Sequence, residues 1–240
     1  MLNLSLEKIK SIINYENKNV NCVFTYPFLS MLWNVNTINQ RKINKINDII
    51  HSLGTKDNDD RAQTPILMLD LILIVEMGKI SSKLNFFNIN GYKLFTQLRT
   101  DRKGGGIGFY IKKDIKAAIK FTELTSDFEF LHMEITKRND TPRNIVGVYR
   151  PPSGNKEAFY QALESLMMRN ESNITIMGDI NLNRPQDNDY NQSAKTYGSL
   201  LESFNLTVIN NAITRYNKIT QNHTIIDHVI VNHDRCDVLT

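Results

Sequence analysis

The stretch from residue 143 to 183 constrains the fold more than any other part of the chain. "RNIVGVYR" is an apolar, β-branched run, "PPSGN" is a turn, and "NKEAFYQALESLMMRN" carries apolar residues at helical spacing. "NITIMGDINLN" then returns to a short uncharged run that stops at Gly178. A strand, an amphipathic helix and a second buried strand in direct succession belong to an α/β architecture. The remaining segments agree. "VNCVFTY", "SMLWNVN", "ILMLDLILIVE", "GGGIGFYIKK", "DFEFLHMEIT", "LTVIN" and "TIIDHVIVN" read as strands, and "RKINKINDIIHSLG" and "SAKTYGSLLESFN" as helices. Residues 1–19 have apolar positions that fit a short amphipathic helix. Helices separate some strands but not all, so a mixed α/β sandwich with sheets inside and helices outside fits better than a doubly wound parallel sheet.

The abrupt end of "TIMGDIN" has two readings. Gly178 permits a tight turn or a close backbone approach. Asp179 and Asn181 stand two apart, which in an extended chain points both side chains to one side. They could hold a hard cation or a water beside a phosphate, or form nothing more than an Asx turn. Asparagine itself carries little signal, because 29 of the 240 residues are Asn, spread along the whole chain.

The same pattern recurs, and this weighs against coincidence. Asn34 closes "MLWN", Glu76 closes "LILIVE", Tyr149 closes "IVGVY", and Asp227 interrupts "TIIDHV". A buried strand has no structural need of such residues, and strand ends in a sandwich meet along one edge. Carboxylates and carboxamides are ligands for magnesium or manganese, and such a site suits phosphodiester hydrolysis. No His or Cys spacing favours zinc.

Composition narrows the rest. A length of 240 residues with 41% hydrophobic residues fits one sizeable domain, and the net charge of +4 permits a polyanionic partner without requiring one. Cys22 and Cys236 form neither a zinc spacing nor a disulfide framework, which favours a reducing compartment. The apolar run "PILMLDLILIV" is too short to span a bilayer and is broken by Asp70. The expectation is a soluble chain with no membrane partner. Trp33 and the Phe86–Phe87 pair are expected in the core, and Gly104–Gly106 in a hairpin turn. "RTDRK", with Arg99, Arg102 and Lys103, is either a solvated face or a contact to a DNA backbone.

The order of these motifs resembles the endonuclease/exonuclease/phosphatase superfamily, and within it the apurinic-like endonuclease domain of non-LTR (LINE-type) retrotransposons. "WNVNTINQRKINKI", "DLILIVE", "GYKLFTQLRTDRKGGGIGFYIKK", "GVYRPPSGN", "MGDINLN", "LLESFNLTVINNAITRYN" and "TIIDHVIVN" follow in family order over roughly residues 30 to 235. The resemblance implies a four-layer αββα sandwich, DNase I-like, with a Mg2+ or Mn2+ site along one edge of the sheets. Residues 1–29 are then an unassigned extension and 30–240 the domain. It implies that Glu76 and Asp179 bind the metal and that Asn34 contacts the phosphate or the metal shell. Tyr149 would lie beside the scissile phosphate, Asp179 would activate or orient water, and Asn181 would support both. Asp227 would orient a catalytic histidine. DNA is the implied substrate, with a reverse transcriptase encoded downstream as a further partner. The place of action would be inside the cell, in the nucleus when DNA is cut.

Two departures qualify the resemblance. The family closes on a Ser-Asp-His strand, and no Ser-Asp-His occurs in these 240 residues. The expectation is a chain lacking its last strand, with one sheet edge exposed and poor nicking. His228 follows Asp227 directly and should face the other way. Asn36 stands where apurinic endonucleases often have aspartate. The competing reading is therefore a truncated or decayed relative that binds nucleic acid without cutting it.

Overall fold

The computed structural model describes residues 20–25, 28–54, 68–78, 87–99, 104–169, 173–183, 192–210, 215–216, 223–232 and 236–239. The chain runs through β1 (Val20–Thr25), β2 (Phe28–Asn34), α1 (Gln40–Gly54), β3 (Leu71–Val75), β4 (Tyr92–Gln97) and β5 (Ile107–Lys112). β6 (Lys116–Leu124), β7 (Glu129–Thr136), β8 (Arg143–Tyr149), α2 (Lys156–Met167) and β9 (Ile174–Asp179) follow. The remaining elements are α3 (Gln192–Ser203), β10 (Thr207–Val208), β11 (Arg215–Tyr216), β12 (His223–Thr224), β13 (Asp227–Val231) and β14 (Cys236–Leu239). The expected helix within residues 1–19 lies outside the described residues.

Sheet I has the order β14-β1-β2-β3-β5-β4 and sheet II the order β10-β13-β9-β8-β7-β6. β2–α1–β3 and β8–α2–β9 are parallel crossovers, one in each sheet, and the other pairings are antiparallel. Parallel neighbours need such a crossover, and a helix is its usual form.

Three apolar clusters separate four layers. α1 places Ile43, Ile46, Ile49 and Leu53 along one stripe, over Met31, Trp33, Ile72 and Ile74 of sheet I. Leu32, Leu73, Phe109, Leu131, Met133, Met177 and Val229 fill the space between the sheets. Phe159, Leu163 and Leu166 of α2 and Tyr197 and Leu201 of α3 cover Phe130, Val146, Val148 and Ile176 on the far face of sheet II. Each buried Leu, Ile or Phe contributes on the order of 2 kcal/mol. The αββα sandwich expected from the resemblance is the fold.

Three details differ from the sequence reading. A domain boundary at residue 30 falls inside β2, and β1 pairs with β2 from Val20↔Trp33 to Thr25↔Phe28, so the extension contributes a strand. β14 pairs with β1, so β1 is covered on its outer side and β14 forms that edge of sheet I. "KAAIKFTEL" forms the nine-residue edge strand β6, whose alternation is hidden because most of its residues are exposed.

Candidate active site

Four residues of sheet II lie in one registered row. Glu129 pairs with Tyr149, Tyr149 with Asp179, and Asp179 with Asp227. Residues opposite one another in a ladder point to the same face. Leu131, Met177 and Val229, two positions away on their strands, fill the space between the sheets, so the row faces sheet I at one rim of the sandwich. Asn34 ends β2 and Glu76 follows β3 in sheet I, and both reach this row. The Asn34 amide donates to Asp179 Oδ2 at 2.8 Å, and the Tyr149 hydroxyl donates to Glu76 Oε1 at 2.6 Å. Asn34, Glu76, Tyr149, Asp179 and Asn181 are thus linked into one cluster.

Local geometry explains "MGDIN". A Cβ on Gly178, which has φ +153°, would overlap the carbonyl oxygen of Val148, so the position requires a close backbone approach between β8 and β9. Asp179 ends the strand, and its Oδ1 accepts the Asn181 N–H at 3.0 Å. Asn181 has φ +51° and donates its side-chain amide to the Arg150 carbonyl at 2.9 Å. The Asx turn and the site are one structure, because the turn is what places Asn181 beside Asp179.

Backbone strain concentrates here. Asn36, Thr37, Glu76 and Asn181 all have positive φ. Glutamate and a β-branched threonine rarely adopt that region. Thr37 N–H donates to the Glu76 carbonyl at 2.6 Å, and Asn36 N–H donates to Asn34 Oδ1 at 3.0 Å. Lys42 of α1 ties the loop down by donating to the carbonyls of Val35, Asn36 and Thr37. Burial lowers the pKa of its ammonium, against the opposing pull of Glu76.

The electrostatics single out Asp179, which is 3% exposed. Burial, and then the nearby charge of Glu76, push its pKa up to about 7, although hydrogen bonds from Asn181 and Asn34 oppose the rise. The Tyr149 hydroxyl is held protonated, first by burial and then by its bond to Glu76. Two carboxylates that repel each other, among amide oxygens, are a donor set that a hard divalent cation fits. Among the described residues no group of three or more His, Cys, Asp or Glu could hold a metal ion. Water or a substrate phosphate would have to complete the coordination.

Asp227 joins the row on the next strand and is buried. Its backbone is fixed by Asn210, which donates to the Asp227 carbonyl at 2.8 Å and accepts from Val229 N–H at 2.7 Å. His228 faces away, as alternation demands. Its Nδ1 lies 3.0 Å from the Tyr197 hydroxyl and its Nε2 lies 2.9 Å from the Ile225 carbonyl, under α3.

The nucleic-acid set needs one correction. Arg99 is 3% exposed, and its guanidinium bonds Glu129 and, at 2.6 Å, the Thr125 carbonyl. An arginine spent on an internal carboxylate is not a phosphate ligand. Arg102 and Lys103 lie outside the described residues.

Sequence reasoning missed Arg150 and Asn210. Arg150 is fully buried and donates to the carbonyls of Ile180, Gly154 and Asn181 at 2.6–2.9 Å, which fixes the chain on either side of the Asn181 turn. Its place directly after Tyr149, before two prolines, was the available signal. Nothing distinguished Asn210 from the other asparagines.

Residues 143–238 match the endonuclease-reverse transcriptase family. The endonuclease domain of TRAS1, a telomere-specific non-LTR retrotransposon, superposes with a TM-score of 0.59 at 10% identity, covering 85% of each chain. An AP endonuclease from Archaeoglobus fulgidus gives 0.57 at 12% identity, over 85% of this chain and 86% of its own. A 3′ phosphatase from Neisseria, bound to a product DNA hairpin, gives 0.54 at 14% identity, over 84% and 85%. The chain has the fold of the endonuclease/exonuclease/phosphatase superfamily. No curated protein matches it in sequence. At these identities the superpositions establish the superfamily's sandwich fold and leave its chemistry to be argued from the residues.

Proposed function

We propose that this chain is a divalent-metal-dependent phosphodiesterase that nicks DNA, the endonuclease domain of a non-LTR retrotransposon. The observation that carries the reading is the pairing of Glu76 and Asp179 across the two sheets, each held by a neutral donor and neither, among the described residues, bonded to an internal cation. Their carboxylates would hold Mg2+ or Mn2+, which supplies charge neutralisation at the phosphate when bound. The chain's own groups would do the rest. Asp179 would orient the attacking water, Asn34 and Asn181 would hold Asp179 in place, and the Tyr149 hydroxyl would donate to a non-bridging phosphate oxygen. Asp227 would orient a histidine supplied by a Ser-Asp-His strand.

The family match and the folds of DNA-acting relatives support a nuclease-type hydrolase. Arg102 and Lys103 would contact the DNA backbone, and a reverse transcriptase encoded with the domain would use the nick. Such a protein would act inside the cell, in the nucleus where the DNA lies. Among the described residues no helix is long and apolar enough to cross a membrane.

A second reading, nucleic-acid binding without cleavage, draws support from His228, which is committed to Tyr197 and Ile225 and turned away from Asp227's row. One pair of assays separates the two. Supercoiled plasmid with Mg2+ tests nicking, and a gel shift in chelator tests binding. Nicking that Asp179→Asn abolishes establishes the first reading. A shift without nicking, in this chain and in one extended by a Ser-Asp-His strand, establishes the second.

A further inference from the structure

We infer that the buried Arg99–Glu129 pair is a positioning element that sets the backbone of Glu76; this rests on the reading of Glu76 as a metal ligand. Glu129 is fully buried at the β7 end of the registered row, and Arg99 reaches it from the segment after β4, in the other sheet. Glu129 Oε1 meets the guanidinium, and Oε2 accepts the Gly106 N–H at 2.8 Å. The glycine segment is in turn bonded to the two residues after Glu76. Met77 N–H donates to the Gly106 carbonyl at 3.1 Å, and Gly78 N–H to the Gly105 carbonyl at 2.8 Å. Thr37 holds the Glu76 carbonyl from the other side. A path of hydrogen bonds therefore runs from the ion pair, through Gly105 and Gly106, to Met77 and Gly78, which directly follow a glutamate whose φ is +58°.

The residue types fit this role better than they fit stabilisation. Gly104, Gly105 and Gly106 all have positive φ, and a Cβ on Gly105 would overlap the Glu129 carboxylate and the Arg99 side chain. Three consecutive glycines are entropically costly to order. A buried ion pair is often no more stabilising than an apolar pair of the same shape. Costly features bonded to the backbone beside a strained residue are what over-determined placement requires. Arg99 and Glu129 touch no reacting atom and act only through the glycine segment.

The test uses the full 240-residue chain and Mn2+ alone as the probe. Free Mn2+ is titrated by electron paramagnetic resonance, and amide hydrogen exchange is followed at Met77 and Gly78. Arg99→Met with Glu129→Leu removes both the charges and the acceptor for Gly106. Arg99→Met with Glu129→Gln removes the charges and keeps an acceptor. The first variant is expected to weaken Mn2+ binding about 10–100-fold and to speed exchange at both amides, with its melting temperature in chelator close to the parent's. The second should recover most of both. Parent-like Mn2+ binding and amide protection in the first variant would overturn the inference. So would equal losses in both variants, accompanied by a general fall in melting temperature. The site reading has its own control: Asp179→Asn must abolish Mn2+ binding by the parent chain. If the parent binds no Mn2+, or Asp179→Asn binds it equally well, the site reading falls and this inference with it.

Discussion

Glu129 and Asp179 lie in the same row of sheet II, separated by Tyr149, and both are buried, yet their surroundings are opposites. Glu129 meets a guanidinium and a backbone N–H. Asp179 meets one amide and one backbone N–H, and burial, followed by the charge of the nearby Glu76, raises its pKa to about 7. A buried charge is tolerated when the chain supplies its counter-ion. Among the described residues no internal cation is bonded to Asp179, which on the proposed reading leaves the place to a ligand cation. On the proposed reading, the contrast marks Glu129 as a structural carboxylate and Asp179 as a functional one.

The largest effect should come from Asp179→Asn. It should lower plasmid nicking with Mg2+ by about 10³-fold or more, since the metal and the oriented water go together. The same substitution should raise the melting temperature in chelator at pH 8, because it removes a poorly compensated buried charge. Unchanged nicking would break the contrast with Glu129.

Next in size is the effect of the histidine. These 240 residues should nick on the order of 10²–10³ slower than a chain extended through a Ser-Asp-His strand. Equal rates, both abolished by Asp179→Asn, would mean that the histidine is dispensable or replaced.

Tyr149→Phe removes the donor between the two carboxylates. It should lower kcat by on the order of 10² with little change in melting temperature, and a loss of fold instead would reassign Tyr149 to the core.

A smaller effect is on pH dependence. Asp179 has an ordinary pKa of 3.8 in the unfolded chain and about 7 in the folded one. Between these values the folded state keeps a proton that the unfolded state has released. The metal-free protein should therefore lose stability as pH rises from about 4 to 7, with no further loss from this group above that. Urea unfolding in chelator would show the slope, and Asp179→Asn should remove it. If the slope survives in Asp179→Asn, another group carries it.

The smallest effect concerns DNA affinity. Arg102→Ala and Lys103→Ala should each lower the slope of log K against log salt by about 1, while Arg99→Ala should act on stability and leave that slope alone. A slope change from Arg99→Ala would restore it to the DNA surface.

Local pattern determined much of this protein. Periodicity was enough to place α1, α2 and α3 and most strands, since the apolar stripe of Ile43, Ile46 and Ile49 and the run "ITIM" are properties of neighbouring residues. Strand-end chemistry was enough to nominate Asn34, Glu76, Tyr149, Asp179, Asn181 and Asp227. Register belongs to tertiary structure, because which residue lies opposite Asp179 depends on pairings dozens of positions apart. Only the folded chain, therefore, put Glu129, Tyr149, Asp179 and Asp227 in one row. The fold also decided exposure: Arg99, in a polar run, is drawn inside by a glutamate thirty residues on. Asn210, one of many asparagines, became distinctive only when β10 brought it to the backbone of β13.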